Sequence, residues 1–276
     1  MGALVWLASY PKSGNTWVRA FLHNLVHDRG GALDLNALPS SVKSDADRAD
    51  FERLASRPLE DLGHAGIAAL RAPVQRAIAR AATGAVLIKT HSALTMVGGH
   101  ASHAVDVTRG AVYLVRDPRD VAVSYADHLG IGVDRAIDIL ATSHAHTVMS
   151  PRHVTEFPGS WTQNVATWTT EGNERVHVAR YEDLLSDPEA RFAAIAAFLG
   201  IESEPETFRR ALANTAFREL SRQERQSGFI ERSHRQQRFF RKGRAGDWRQ
   251  VLTAGQAARI VADHGEQMAR FDYGDG

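Results

Sequence analysis

The sequence predicts an α/β fold in which a central parallel sheet is flanked by helices. Three observations predict it. Apolar runs of strand length, Leu4 to Ala8, Ala85-Val86-Leu87-Ile88 and Ala111-Val112-Tyr113-Leu114-Val115, lack the polar alternation of half-exposed strands. Helical patterns come between these runs, the spacing of strand–helix–strand units. The third run feeds directly into Asp117-Pro118, a helix start with proline in the first turn. In chain order, Leu4 to Ala8 reads as a buried strand and Thr16 to His27 as the helix after a short loop. Residues 30–80 mix Gly, Pro and short helical patterns and read as an irregular excursion over the surface. Val176-His177-Val178-Ala179 is a fourth, weaker strand. Asp187-Pro188 opens another helix, with Phe192, Ile195, Ala196 and Leu199 on one face and Gly200 as its stop. One domain over residues 1–276 is expected, with ligands at the C-terminal ends of the strands.

Composition narrows the function classes. The chain has 33 basic and 32 acidic residues, for a net charge of +1, so the molecule as a whole is no polyanion binder. Between Arg218 and Arg249, however, Arg218, Arg222, Arg225, Arg232, Arg235, Arg238, Arg241, Lys242, Arg244 and Arg249 face only Glu219, Glu224, Glu231 and Asp247. That excess reads either as a solvated basic face or as the surroundings of an anionic ligand. The absence of cysteine excludes disulfides, thiolate catalysis and cysteine–zinc sites. No apolar run reaches the length of a membrane span, and the N-terminus lacks the basic region of a signal peptide. Met1-Gly2 suggests myristoylation, but Trp6 stands where that motif needs Ser or Thr. A soluble, cytoplasmic protein is expected.

Three stretches carry chemistry. Tyr10-Pro11-Lys12-Ser13-Gly14-Asn15-Thr16-Trp17 lies on the turn between the first strand and the first helix, where backbone N–H groups and the helix dipole favour an anion. Lys12 adds a point charge suited to a phosphate or sulfate oxygen. The lysine precedes the loop's only glycine, so this is not the ordinary Gly-x-x-x-x-Gly-Lys-Ser/Thr loop of ATPases. After the second strand, Lys89-Thr90-His91 puts Lys89 and His91 on the same side of extended chain, where one could stabilise negative charge and the other take a proton. After the third strand, Arg116 and Ser124 could converge on one anion, or Arg116 could instead pair with Asp120 across the helix start. Further on, Phe239-Phe240-Arg241-Lys242-Gly243-Arg244-Ala245-Gly246-Asp247-Trp248 has the composition of a mobile loop that folds over a phosphate, or of a solvated turn.

Together these motifs resemble, in order, those of the sulfotransferases that use 3′-phosphoadenosine 5′-phosphosulfate (PAPS), over most of residues 4–250. Tyr10 to Trp17 resembles the 5′-phosphosulfate loop, Arg116 to Ser124 the 3′-phosphate element, and Arg241-Lys242-Gly243 with Gly246-Asp247-Trp248 the C-terminal cofactor loop. Lys89-Thr90-His91 is similar to the catalytic Lys-Thr-His, and Arg180-Tyr181-Glu182-Asp183-Leu184 and Thr215-Ala216-Phe217 to the adenosine-holding segments. The resemblance implies a P-loop-like nucleotide-binding sulfotransferase fold. It also implies in-line sulfuryl transfer from PAPS, without a metal, to a phenol or alcohol of a small-molecule or natural-product acceptor. Lys12 would support the leaving group. Ser13, Gly14, Asn15 and Thr16 would hold the 5′-phosphate, and Trp17, Tyr181, Thr215 and Phe217 the adenine. Arg116, Ser124, Arg241, Lys242 and Gly243 would grip the 3′-phosphate, Ser124 also counting with the catalytic groups. His91 would be the general base and Lys89 would stabilise the sulfuryl group. Around residues 222–245 a mobile lid over acceptor and cofactor is implied.

Gly159-Ser160-Trp161 with Asn164 and Trp168 resembles bacterial natural-product members of the family, and so a bacterial enzyme is expected. The family's short dimerisation motif does not appear: Thr253-Ala254-Gly255-Gln256 stands in its neighbourhood, and the oligomeric state stays open. No pattern in regions 30–75, 95–108, 127–160 or 222–238 identifies the acceptor. The rival is a phosphate-loop kinase using ATP and magnesium, for which Asp117 is the only acidic candidate at a strand end. A nucleic-acid binder built on the 218–249 segment is disfavoured by the near-neutral net charge.

Overall fold

A computed structural model of the chain describes residues 2–274; Met1 and the last two residues of the expected 1–276 domain lie outside them. The strands are β1 (Ala3–Ser9), β2 (Lys43–Ser44), β3 (Ala85–Thr90), β4 (Met96–Val97), β5 (His100–Ala101), β6 (Thr108–Val115) and β7 (Val176–Arg180). The helices are α1 (Asn15–Val26), α2 (Leu38–Ser41), α3 (Arg48–Glu52), α4 (Gly63–Ala81), α5 (Pro118–Leu129), α6 (Val133–Ala141), α7 (Trp161–Trp168), α8 (Tyr181–Ser186), α9 (Pro188–Leu199), α10 (Pro205–Asn214), α11 (Phe217–Ser227) and α12 (Ala254–Arg270). Among the described residues the main sheet has five strands in the order β2-β3-β1-β6-β7, and β1 pairs in parallel with both β3 and β6. The small β4–β5 pair is antiparallel.

Two compact units divide the chain. The first is built on β1, on Lys43–Leu114 and on Leu140–Val178. Leu4, Trp6, Leu7, Ile88, Val112, Tyr113 and Leu114 are all buried, which explains why these strands read as unbroken apolar runs. A further cluster joins Ala46, Phe51, Leu59, Ile67, Val74 and Val154. Residues 30–80 are therefore not the surface excursion expected from sequence: they contain the 19-residue helix α4 and supply much of this core. The helical period was masked because Pro73 sits inside α4 and because Arg71 and Gln75 occupy buried positions on its inner face. Arg71 is tolerated there because its guanidinium donates to Asp45 Oδ2 at 2.7 Å and its face lies over the Phe157 ring at 5.3 Å.

The second unit comprises Lys12–Val42, Val115–Ile139 and the chain from Ala179 onward. Its helix signals behave as the sequence indicates. Asp117 caps α5 and Asp187 caps α9 through their side chains, with proline in each first turn and a left-handed Gly130 or Gly200 at the end. Thr253 and Gln256 form a reciprocal capping box at the start of α12. One apolar cluster gathers Ala20, Leu35, Leu38, Leu220, Phe229 and Phe240, with Trp17, Phe217 and Phe239 packed against it. The segment after α11, rich in Arg and Gln, is thus anchored by aromatic rings. Glu224 adds to this by accepting from the backbone N–H groups of Phe239 (2.6 Å) and Phe240 (2.9 Å).

Candidate active site

Parallel pairing aligns Leu7 with Lys89 and Ala8 with Thr90, so in the first unit the ends of β1 and β3 emerge side by side. His91 Nδ1 lies 2.9 Å from the Ser9 carbonyl oxygen and 3.2 Å from Ser9 Oγ. A carbonyl oxygen only accepts, so Nδ1 carries the proton and Nε2 is the basic nitrogen. The backbone around the ring is held from both ends. His91 N–H donates to Glu156 Oε1 at 3.1 Å, and Asn164 Nδ2 donates to the His91 carbonyl at 3.0 Å. Asn164 Oδ1 in turn accepts from Tyr113 Oη at 2.8 Å, and Trp168 Nε1 donates to the Ser92 carbonyl at 3.0 Å. Ser160 caps α7, on which Asn164 and Trp168 stand. The Gly-Ser-Trp region therefore braces the histidine. Lys89 Nζ lies 3.6 Å from Glu156 Oε1.

In the second unit the loop after β1 forms a cationic cradle. Lys12 adopts φ 70 and Gly14 φ 101, both left-handed, before α1 begins at Asn15. Arg116 Nη1 donates to the Lys12 carbonyl at 3.0 Å, and its guanidinium lies 4.3 Å over the Tyr181 ring. Tyr181 meets Trp17 edge-on with centroids 6.0 Å apart. Lys12 Nζ sits 4.2 Å over the Phe239 ring. Burial, and then the charges of Arg116 and Arg241, lower the Lys12 pKa to about 8, although Asp127 and Glu231 oppose them. Ser13 is fully buried, and its hydroxyl has no hydrogen-bond partner among the described residues. Cations crowded together beside a dry, unsatisfied hydroxyl fit a polyanion such as a phosphosulfate.

The remaining expected residues are engaged in different ways. Phe217 packs its ring directly over Gly243, whose φ of 60 and contact with that ring leave no room for a Cβ. Arg241 (3.0 Å), Lys242 and Arg244 (2.8 Å) converge on the Asp247 carboxylate. Burial would raise the Asp247 carboxyl, but Lys242, Arg244 and Arg241 override it and hold it at about 2. Thr215 is buried with its hydroxyl donating to the Ala211 carbonyl at 2.7 Å, so that hydroxyl finishes α10. Ser124 is half-buried on α5 and Thr16 half-buried on α1.

The alternative partner for Arg116 survives only as a 3.9 Å approach to Asp120. The Asp120 oxygens mainly accept from Gly246 N (2.7 Å) and Trp248 N (3.0 Å), tying the helix start to the Gly-Asp-Trp turn. Asp117, the kinase reading's acidic candidate, caps α5 and pairs with Arg119 at 2.9 Å. Among the described residues no group of three or more His, Cys, Asp or Glu is arranged to hold a metal ion, and no helix is long and apolar enough to cross a membrane. Sequence reasoning missed Glu156, Ser9, Asn164 as a brace, and Phe239 as the ring under Lys12. Ser9, Asn164 and Phe239 lay within stretches that sequence singled out, Ser9 in the run from Trp6 to Trp17.

Known sulfotransferases resemble this chain in sequence and in fold. Sulfotransferase 1A1 of Canis lupus familiaris is 25% identical over 268 residues, covering 95% of this chain and 82% of that protein. The 3-alpha-hydroxysteroid sulfotransferase of Cavia porcellus is 27% identical over 182 residues, 58% of this chain and 56% of that protein. The fold is shared with mouse sulfotransferase SULT7A1, solved in complex with PAP, at 21% identity and a TM-score of 0.59, covering 96% of this chain and 84% of that one. It is shared also with retinol dehydratase in complex with retinol and PAP, at 21% identity and a TM-score of 0.63, covering 96% and 81%. The model of the sulfotransferase domain matches residues 3–272, and the chain belongs to that family.

Proposed function

We propose that the protein transfers a sulfuryl group from PAPS to a hydroxyl of a small-molecule acceptor, with His91 as general base. The observation that carries this reading is the second unit's cradle. There, burial, with Arg116 and Arg241 nearby, depresses the Lys12 ammonium, and a buried Ser13 hydroxyl has no hydrogen-bond partner. Bound PAPS would supply an activated sulfuryl group and leave as 3′-phosphoadenosine 5′-phosphate (PAP). Lys12 and the loop N–H groups of Ser13 to Thr16 bind its 5′ end, and Arg116, Ser124, Arg241, Lys242 and Gly243 its 3′-phosphate. Trp17, Tyr181, Thr215 and Phe217 enclose the adenine. His91 Nε2 takes the acceptor's proton while Nδ1–H stays on the Ser9 carbonyl, and Lys89 offsets charge on the group in transfer. A sulfuryl group carries less negative charge than a phosphoryl group, so ammonium groups and amides suffice where kinases employ magnesium. A hydroxyl acceptor is further supported by the Cavia porcellus relative, a 3-alpha-hydroxysteroid sulfotransferase.

The test is incubation with sulfur-labelled PAPS and a panel of phenols, alcohols and amines, scoring products that gain one SO3 group. Calorimetry with PAP and AMP runs beside it. Charge-assisted contacts to the 3′-phosphate, about 1.5–3 kcal/mol each, should make PAP bind far more tightly than AMP. Equal affinities, or a strict magnesium requirement for turnover, would overturn the reading. His91→Ala should lower turnover by about 10²–10⁴-fold while leaving PAP affinity within a few-fold.

A further inference from the structure

We propose that Glu156 is the positioning residue of the Lys89–His91 pair and the counter-charge for the proton that His91 takes up. The inference rests on the sulfuryl-transfer reading above and concerns the first unit alone. Glu156 lies in an irregular stretch but is held tightly. Its N–H donates to Thr147 Oγ1 at 2.9 Å, its carbonyl accepts from Thr147 N at 2.9 Å, and the next residue's N–H donates to Ser92 Oγ at 3.1 Å. From this anchored position the Oε1 atom does two things: it accepts the His91 N–H at 3.1 Å and stands 3.6 Å from Lys89 Nζ.

A second buried pair lies behind it. Arg71 donates to Asp45 Oδ2 at 2.7 Å and to the carbonyl of Thr155, the residue before Glu156. Asp45, Glu156, Arg71 and Lys89 thus form a charge-balanced group of two carboxylates and two cations. Burial works to raise the Glu156 carboxyl, but Lys89, with His91 and Arg71, holds it below the usual carboxylate range, so it is ionised at neutral pH. Burial instead raises Asp45 despite Arg71. Ser9 on β1, Asn164 on α7 and Glu156 all bond to His91, and Glu156 brings a carboxylate to it, on which Lys89 and His153 also act by charge.

This arrangement has a chemical consequence. As the acceptor O–H bond breaks and its oxygen bonds to sulfur, the proton ends on His91 Nε2, and the electron pair of the broken S–O bond leaves with PAP. The imidazole becomes a cation, and the fixed carboxylate stabilises that cation. The same carboxylate holds Lys89 by charge at a separation too long for a strong hydrogen bond, which leaves the ammonium able to turn toward the transferring group.

The experiment compares wild type, E156D and E156Q by kcat, the KM for PAPS, the pH profile of kcat and the ¹⁵N titration of the His91 imidazole. Gln keeps an acceptor oxygen for the His91 N–H but removes the charge. E156Q should lose about tenfold or more in kcat with the KM for PAPS within about twofold. Its acid limb and the His91 titration should both move to lower pH, because the imidazolium has lost its counter-charge. E156D, whose carboxylate is withdrawn by one methylene, should fall between the two. Should E156Q not fold, E156D carries the test, with a severalfold loss and a smaller displacement in the same direction. Wild-type kcat and superimposable profiles in E156Q, or in E156D if it alone folds, would overturn the proposal. So would a parallel loss of kcat and PAP affinity with no movement of the His91 titration, which marks a merely structural residue. If wild type sulfates no acceptor, the sulfuryl-transfer reading fails instead, and the His91 titration, which needs no turnover, still decides the role of Glu156.

Discussion

Replacing Gly14 by alanine tests whether the loop after β1, Tyr181 and Arg116 act as one cradle. Gly14 has φ 101 and ψ 5, and its carbonyl accepts from Trp17 N at 3.0 Å and Val18 N at 3.3 Å at the start of α1. A Cβ at this position would lie 2.8 Å from Tyr181 Cδ2 and 3.3 Å from Cε2. Holding alanine in the left-handed region costs about 1–2 kcal/mol. Forcing the added methyl against a packed ring costs roughly 1–3 kcal/mol more. The expected destabilisation is therefore about 2–5 kcal/mol, read from urea unfolding of the two proteins. The Tyr181 ring cannot move alone, because it carries the Arg116 guanidinium at 4.3 Å and Arg116 holds the Lys12 carbonyl at 3.0 Å. PAP affinity should consequently fall at least about tenfold by calorimetry. An alanine variant within about 0.5 kcal/mol of wild type, with unchanged PAP affinity, would refute the linkage.

Two further outcomes are expected. Burial and Arg116 lower the Lys12 pKa to about 8, so the ammonium present below that pH is lost above it. PAP binding should then weaken as pH rises through about 8, with proton uptake on binding, while Lys12→Arg should remove this dependence; a flat wild-type profile from calorimetry would exclude Lys12 as the titrating contact. The stretch between Ser227 and Asp247, which holds Arg241, Lys242 and Gly243 and has no α-helix or strand, should exchange its amides quickly in the free protein and slowly with PAP. The amides of Phe239 and Phe240, bonded to Glu224, should stay protected in both states, and equal rates throughout would contradict a lid in this region.

Local chemistry made much of this protein legible in its sequence. Strands buried on both faces must be apolar throughout, so β1 and β6 stood out as runs; β3 is only partly buried, with Ala85 exposed and Ile88 buried. Capping is decided within a few residues, so Asp117-Pro118, Asp187-Pro188 and Gly200 marked helix ends where the structure has them. The loop at Lys12 to Trp17 and the pair at Lys89 and His91 could be singled out as candidates because parallel sheets take ligands at the C-terminal ends of their strands. What only the tertiary structure decided involves partners far apart in the chain. Helix α4 was hidden because its buried Arg71 looks polar until Asp45 and Phe157 are beside it. The tautomer of His91 is set by the Ser9 carbonyl, 82 positions earlier. Glu156, 65 positions beyond His91, is an ordinary acidic residue in sequence, and becomes the anion of the site only when the fold buries it against Lys89 and the His91 amide. Burial strengthens such charges and brings them together, and burial is a property of the folded chain rather than of any segment within it.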